Sequence, residues 1–395
     1  MRAIVYGQAR SGRSAAERLR EAGDEVVVVD RALGNESDLA LLDGAGLLVK
    51  SPGVPGEAVL VAAARERGIP VWSEVELGYR LLGEARLIGV TGTNGKTTTA
   101  ELLGAILRAA GRDVAVAGNV GTPLTSVRGA DWVVCELSSF QLEDVHELAC
   151  EVAVLLNLEP DHLDRHGTFD AYRAAKLRIF ERAAAAVVPR GVGLDNSYLP
   201  VTVIEFAADD ELPAEPRIRG SHNRENAAAA TAAARAAGVA DGAIAAALVS
   251  FPGVPHRLEL VGERDGVRYV NDSKATNVAA ARRALAAYAD EPVRLILGGS
   301  LKGEEFEPLA DAIGPNVRSI HLIGEAAPVL AAVLGRLDPY TDGDLATAVA
   351  HAAQLASPGD VVLLSPANAS YDQFENFERR GDAFRVLARG SEQVF

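Results

Sequence analysis

Short apolar runs alternate with longer stretches in which apolar residues recur every three or four positions, and this alternation repeats along almost the whole chain. Apolar runs bounded by Gly, Pro, Asn or Asp predict buried strands, and the 3.6-residue recurrence predicts amphipathic helices. Three α/β blocks emerge. In residues 1–85 the pattern predicts strands at Ala3–Tyr6, Glu25–Asp30, Gly46–Lys50 and Ile69–Trp72, with helices at 13–22 and 57–67. In residues 86–253 it predicts strands at Leu87–Val90, Asp113–Ala117, Trp132–Leu137 and Val152–Asn157, and helices at 98–110, 169–186 and 223–237. Residues 254–395 open with a hairpin over 257–270 that turns at Arg264-Asp265-Gly266. Strands at Arg294–Leu297, Ser319–Ile323 and Val361–Leu364 follow, with helices at 277–289, 306–313, 326–335, 344–356 and 374–388. Strands that alternate with helices need crossover connections, so the expected fold is α/β with mostly parallel sheets. The linkers are short, Gly83–Arg86 and Phe251–Pro255, and segment 188–219 is irregular and broken by prolines.

Composition narrows the class. With 48% hydrophobic residues, 5% aromatics and 38 glycines among 395 residues, the chain suits layered α/β domains. A formal charge of −15 argues against nonspecific nucleic-acid binding. No apolar run is long enough to span a membrane, and Met1-Arg-Ala-Ile-Val-Tyr-Gly7 runs straight into a strand without a signal-peptide pattern. The expectation is a cytoplasmic enzyme with no nucleic-acid or membrane partner. Cys135 and Cys150 sit in apolar, strand-like runs and are expected to be buried free thiols.

The most informative stretch is Leu87-Ile-Gly-Val-Thr-Gly-Thr-Asn-Gly-Lys-Thr97. A strand enters a glycine turn that opens directly into a helix, the context a phosphate-cradling loop requires. Glycines let backbone N–H groups close around phosphate oxygens, and the helix N-terminus adds its dipole. Lys96 can bridge β- and γ-phosphates, and the Thr97 hydroxyl can ligate Mg²⁺. Val90 stands where the first glycine of the eight-residue Walker loop would be, so the loop is the shorter Gly92-x-x-Gly95-Lys-Thr form. The chain is expected to use a nucleoside triphosphate.

Other polar clusters fall at the C-terminal ends of strands, where open α/β sheets bind ligands. Glu136, before Leu137-Ser138-Ser139-Phe140-Gln141, is a carboxylate suited to sharing Mg²⁺ with Thr97. Glu159-Pro-Asp-His162 ends the next strand, and His162 is a candidate metal ligand or phosphate contact. Lys176 interrupts an apolar helix face formed by Phe169, Tyr172, Ile179 and Phe180. It either snorkels or is a desolvated amine able to take up CO₂ as a carbamate. Asn223 and Asn226 open an Ala-rich helix, and Asn223 is a candidate either for a ligand or for an N-cap. His256-Arg257, Asn271–Asn277, Lys302 on a glycine loop and Ser365–Phe374 are further clusters. Gly7-Gln-Ala-Arg-Ser-Gly12, with Asp30 after the next strand, is like a dinucleotide fingerprint, but Ala9 replaces its middle glycine. A nicotinamide site and the diphosphate of another nucleotide are both open readings.

Together these motifs resemble the Mur ligase family over essentially the whole chain. Gly92–Thr97 is shared across that family and with folylpolyglutamate synthases. Glu136–Leu142, Ala174–Arg178, Asn271–Asn277 and Ser365–Ser370 resemble the members that add D-glutamate. The resemblance implies three domains: a Rossmann-like UDP-binding domain over 1–85, an ATPase domain over 86–253 and a Rossmann-like domain binding the amino acid over 254–395. It implies a monomer that uses ATP and two Mg²⁺ to join D-glutamate to UDP-N-acetylmuramoyl-L-alanine, through an acyl phosphate and a tetrahedral intermediate, in peptidoglycan precursor synthesis. Carried over by motif, Lys96, Glu136, His162 and Lys176 are catalytic. Thr97 and Glu136 hold one metal ion, and His162 with carbamylated Lys176 the second. Gly92, Thr93, Asn94, Gly95, Lys96, Thr97, Thr98, Asn226, His256, Arg257 and Asp272 bind ATP. Gly7, Arg10, Ser11, Asp30, Arg31, Ser51, Asn119 and Asn223 bind the UDP substrate. Thr276, Lys302, Ser370 and Phe377 bind D-glutamate. Ala9, Arg31 and Tyr371 depart from the family pattern, and 188–219 looks shortened. A different amide ligase of the same family, and a P-loop NTPase switch with a nucleotide-sensing domain, are the competing readings.

Overall fold

The computed structural model describes residues 1–195, 199, 202–301, 303 and 305–390. Three sheets form among them. The first joins β1 (Arg2–Tyr6), β2 (Glu25–Val29), β3 (Leu47–Lys50) and β4 (Val71–Ser73) in the order β2-β1-β3-β4, every pair parallel. The second joins β5 (Arg86–Thr91), β6 (Val114–Gly118), β7 (Trp132–Glu136), β8 (Val152–Leu155), β9 (Ala185–Pro189) and β10 (Thr202–Phe206) in the order β10-β9-β8-β5-β7-β6, again all parallel. The third joins β11 (Glu259–Arg264), β12 (Val267–Asn271), β13 (Val293–Gly298), β14 (Val317–Ile323), β15 (Tyr340–Gly343) and β16 (Val361–Leu364) in the order β11-β12-β16-β13-β14-β15. Its one antiparallel pair is the β11–β12 hairpin, which turns through Asp265 and Gly266, both at positive φ.

The parallel strands are apolar on both faces because helices cover both, as in Val152–Leu155 and Val361–Leu364, where every residue is buried. Burying each such Val, Ile or Leu contributes about 1.5–3 kcal/mol. Cys135 and Cys150 join the core of the second sheet as free thiols. Burial raises both, Cys150 to about 12, so neither is a thiolate at neutral pH.

The described residues form two compact units, Met1–Arg217 with His222–Phe251, and Ile218–Ser221 with Pro252 onward. The first two sheets share the first unit. Ser14 bonds Thr125 and Ser126, and buried Glu74 accepts from the amide and hydroxyl of Thr125.

The structure corrects two stretches. The helix expected over 169–186 ends at Leu177, continues as a 3-10 turn over Arg178–Phe180, and gives way to β9. At that point the Arg178 guanidinium donates to the carbonyls of Leu142, Glu143 and Val145, tying the turn to the segment after helix Ser139–Leu142. Alanines at 183–186 look helical, but Val187 and Val188 need the sheet's interior. The irregular segment 188–219 carries β10. Helices Glu74–Arg80 and Asp241–Ser250 and strand β15 have no counterpart in the sequence reading.

Candidate active site

The loop after β5 is shaped by what a side chain there would strike. Gly92 has φ 151° and Gly95 has φ 84°, values that disfavour any residue with a Cβ. A Cβ on Gly95 would sit 2.2 Å from Asn226 Oδ1, and one on Gly92 would sit 2.9 Å from Leu156 Cβ. Asn157 braces the loop from the end of β8. Its carbonyl accepts from the Thr93 amide at 3.1 Å and its side chain from the Asn94 amide at 2.8 Å. Helix Lys96–Ala109 starts immediately, and Gly95 supplies no side chain to cap its first amides. Those donors are then available to an anion. Thr98 lies in this first turn and is buried.

Beside the loop, Thr97 Oγ1 donates to Glu136 Oε2 at 2.8 Å, and Asn119 Nδ2 donates to Oε1 at 3.1 Å. Asn119, expected at the UDP substrate, is thus a partner of Glu136. Glu136 is 3% exposed, and among the described residues it forms no salt bridge. A buried carboxylate calls for a counterion, and a hydroxyl beside a carboxylate is an oxygen donor set for a hard cation. Mg²⁺ fits Thr97 and Glu136 on that ground. Ser138 and Gln141, expected at the same edge, instead close a reciprocal capping box on helix Ser139–Leu142.

Lys176 is 2% exposed on helix Phe169–Leu177. Its Nζ donates to the Gly92 carbonyl at 2.8 Å and lies 4.7 Å from the centre of the Tyr172 ring. Lys96 Nζ donates to the same carbonyl at 2.9 Å and to that of Thr93 at 3.0 Å. Burial first, and the charge of Lys96 second, push Lys176 down to about 7. This is the desolvated amine rather than the snorkelling one. A neutral amine is the form that reacts with CO₂, so the site suits a carbamate.

His162 takes the left-handed conformation at φ 51° and opens the short helix Leu163–His166. Its ring is half-exposed, faces the Asp161 carboxylate at 3.5 Å and packs 4.9 Å from Phe140. No hydrogen bond joins His162 to Lys176 among the described residues. His166 stacks on the same Phe140 and bonds Ser139 Oγ at 2.9 Å.

At the first sheet's edge, Gly7 and Gly12 pack around Ser51. A Cβ on Gly7 would sit 2.7 Å from Ser51 Oγ, which is buried and has no hydrogen-bond partner among the described residues. A glycine cradle around an orphaned hydroxyl suits a phosphate oxygen. An open groove of about 710 Å³ runs beside it, lined by Gly7, Gln8, Gly12 and Arg13 among others. Asp30 is spent locally, accepting from the amides of Gln8 at 2.6 Å and Ala32 at 2.9 Å, which holds its carboxyl below the usual range. Arg10 reaches the Gly121 carbonyl at 2.9 Å, Arg31 is exposed and Ser11 half-buried. Asn223 and Asn226 are buried and bonded to each other at 3.3 Å. Asn223 is not the N-cap, because helix Ser221–Ala236 starts before it.

In the second unit, the ends of β12, β13 and β16 gather around Arg380, which is 1% exposed. Its guanidinium donates to Ser273 Oγ and to the carbonyls of Ser273, Gly298, Asn368 and Ala369. Burial pushes it down to about 10. Asp272 is held by Ser365 Oγ at 2.8 Å and the Leu258 amide at 3.2 Å, and burial raises it to about 7. His256, at φ 62°, bonds Asn271 at 3.0 Å and lies 6.1 Å from the Phe377 ring. Burial lowers its pKa. Arg257 follows it, and Thr276 is bonded through its amide to the Lys274 carbonyl. Ser370 is buried and accepts from the Phe374 amide at 2.8 Å. Lys302 lies outside the described residues.

Comparison with known proteins follows the same lines. Residues 90–198 match the Mur ligase middle domain, and residues 256–368 match the Mur ligase, glutamate ligase domain. A protein of Anaeromyxobacter dehalogenans named UDP-N-acetylmuramoylalanine--D-glutamate ligase is 43% identical, over 98% of this chain and 97% of its own. One of the same name from Myxococcus xanthus is 40% identical, over 97% of each.

The chain belongs to the Mur ligase family.

Solved structures agree on the fold. UDP-N-acetylmuramate-alanine ligase MurC from Thermotoga maritima covers 97% of each chain with a TM-score of 0.63 at 17% identity. MurF ligase from the same organism, in complex with ADP, covers 89% of this chain with a TM-score of 0.60 at 19% identity. In this Mur ligase several site-shaping residues escaped the sequence reading. Tyr172 bonds Thr93 at 2.9 Å and walls Lys176. Its place one turn before Lys176 was the available signal. Arg380, three residues after Phe377, and Asn157, closing a strand, carried no signal beyond residue type.

Proposed function

We propose that this Mur ligase joins D-glutamate to the L-alanyl carboxylate of UDP-N-acetylmuramoyl-L-alanine at the expense of ATP. One observation carries the reading of phosphoryl transfer: a phosphate loop whose Thr97 is bonded to the buried Glu136, which forms no salt bridge among the described residues. The choice of D-glutamate rests on the names of full-length relatives at 40–43% identity.

The γ-phosphoryl group passes to the substrate carboxylate, giving an acyl phosphate and ADP. The D-glutamate amine, having lost a proton, attacks the acyl carbon, and the tetrahedral adduct expels phosphate to leave the amide. Lys96 and the first amides of helix Lys96–Ala109 hold the phosphates and stabilise charge on the transferring group. Thr97 with Glu136, and His162 with a carbamate on Lys176, would hold two Mg²⁺, whose role is to neutralise phosphate charge. Thr93, Asn94 and Asn226 shape the loop, and Asn119 orients Glu136. We assign Gly7, Gly12 and Ser51 to the substrate diphosphate, with Asp30 shaping that loop through its backbone bonds. In the second unit we assign His256, Arg257 and Asp272 to the nucleotide, and Thr276, Lys302, Ser370 and Phe377 to D-glutamate. Residues 1–85, 86–253 and 254–395 are the corresponding domains of a cytoplasmic monomer.

The deciding experiment supplies UDP-N-acetylmuramoyl-L-alanine, ATP and Mg²⁺ with D-glutamate, L-alanine, L-lysine or diaminopimelate, and reads phosphate release. Release with D-glutamate alone is the expected result. Faster release with another amino acid, or ATP hydrolysis that needs neither acceptor nor amine, would refute it.

A further inference from the structure

Two imidazoles converge on one carboxylate in the third sheet, among residues with no part in the assignments above. His321 is on β14, Asp342 on β15 and His351 on helix Leu345–Leu355. His321 Nδ1 is 2.6 Å from Asp342 Oδ2, and His351 Nδ1 is 2.8 Å from Oδ1. The three donor atoms lie within 4.8 Å of one another. The His321 ring is fully buried, Asp342 nearly so, and the His351 side chain is 31% exposed. Among the described residues no Arg or Lys forms an ion pair with Asp342.

The far side of His321 carries the argument further. Its Nε2 is 2.9 Å from Ser319 Oγ. When Nε2–H donates to that hydroxyl, the Nδ1 lone pair faces Asp342. A metal-bound histidine needs this outer partner, which fixes both tautomer and ring plane. Tyr340 stacks on His321 at 5.4 Å and meets His351 edge-on at 4.4 Å, covering one side of the cluster.

We propose that His321, Asp342 and His351 bind one transition-metal dication of the Zn²⁺ class, clamping the edge strand β15 and helix Leu345–Leu355 to β14. Two nitrogens and one oxygen favour Zn²⁺ over Mg²⁺, which prefers oxygen ligands. Ligands of a tetrahedral Zn²⁺ stand roughly 3.3 Å apart, given bonds near 2.0–2.1 Å. The two His–Asp contacts are shorter than this and the three donor atoms span up to 4.8 Å, so the rings and the carboxylate adjust as the ion enters. The exposed flank of His351 gives the ion its entry and leaves a fourth position to water.

The test uses full-length, chelator-treated protein without an affinity tag. Co²⁺ in a low-coordinate site with nitrogen ligands gives an intense visible band, whereas six oxygens give almost none, so the band separates this site from any Mg²⁺ site. One equivalent of Co²⁺ should produce the band, Zn²⁺ should displace it, and Zn²⁺ should raise the unfolding temperature by several degrees. His351→Ala, at a partly exposed position, should abolish both effects, and Ser319→Ala should weaken affinity by about tenfold or more. Three results would overturn the proposal: no band at millimolar Co²⁺ in the wild type, a band that survives His351→Ala, or an unfolding temperature that Zn²⁺ leaves unchanged. The wild-type arms decide the matter even if a variant fails to fold.

Discussion

The carbonyl oxygen of Gly92 accepts from two lysines at once, Lys96 at 2.9 Å and Lys176 at 2.8 Å. Two ammonium groups on one acceptor repel, and the buried one yields its proton more readily. Replacing Lys96 with Met removes that repulsion, so Lys176 should titrate at higher pH and carry less carbamate at pH 7. Carbon-13 NMR in buffer equilibrated with labelled CO₂ follows the carbamate directly. An unchanged occupancy curve in Lys96→Met would show that the two lysines are uncoupled.

Lys96 itself should be indispensable to turnover. Its charge does most where the transferring phosphoryl group spreads charge over its oxygens. Lys96→Ala should lower kcat by at least about 10²-fold, the scale of losing one preorganised donor, in a protein with an unaltered circular dichroism spectrum. A folded Lys96→Ala protein with near-normal kcat would contradict the role.

Lys176 joins activity to pH and sets it against stability. Below about 7 the amine is protonated and cannot hold CO₂, so activity should fall as pH drops through that value. Added bicarbonate should offset part of the fall. Lys176→Ala should be nearly inactive, with partial rescue by acetate. The folded pKa near 7 lies below the unfolded value near 10.4. Between those values the folded state binds fewer protons, so a stability penalty builds as pH falls toward 7 and stays constant below it. Lys176→Met removes the penalty, and in CO₂-free buffer at pH 7 should unfold at a higher temperature than the wild type. A lower unfolding temperature for Lys176→Met under those conditions would count against a desolvated amine.

Asp272 shows the opposite linkage. Its folded pKa of about 7 lies above the unfolded value near 3.9. The folded state therefore binds more protons between roughly pH 4 and 7, and stability falls as pH rises through that window. Asn can still accept from the Leu258 amide and bond Ser365. Asp272→Asn should flatten the decline, so that its advantage over the wild type in unfolding temperature grows from pH 5 to pH 8. Parallel pH profiles for the two proteins would refute the assignment.

The pattern of apolar runs located thirteen of the strands, because parallel strands covered on both faces leave an unmistakable apolar signature. It passed over β9, whose alanines look helical, and the edge strands β10 and β15. Val203 in β10 and Tyr340 in β15 are exposed, so these two edge strands lack the signature. The phosphate loop was legible because Gly92 and Gly95 sit where the backbone forbids a side chain. The bond of Asn119 to Glu136 was not legible, because it depends on how β6 and β7 pair, and spacing along the chain does not encode that. Arg380 was invisible for a related reason. A buried guanidinium bonded to carbonyls leaves no acidic partner for a reader of sequence to find.

The position of β16 bears on how this protein is born. The last strand in the chain lies between β12 and β13 and pairs with both. Until residues 361–364 leave the ribosome, the hairpin β11–β12 has no neighbour joining it to β13, β14 and β15. Early strands must wait, with unpaired edges, for a late one to be inserted between them. Arg380, later still, then ties their loops together. Synthesis thus delivers the phosphate loop long before it can complete the third sheet, and a chain halted before residue 361 would carry the loop without the scaffold of Ser370 and Phe377.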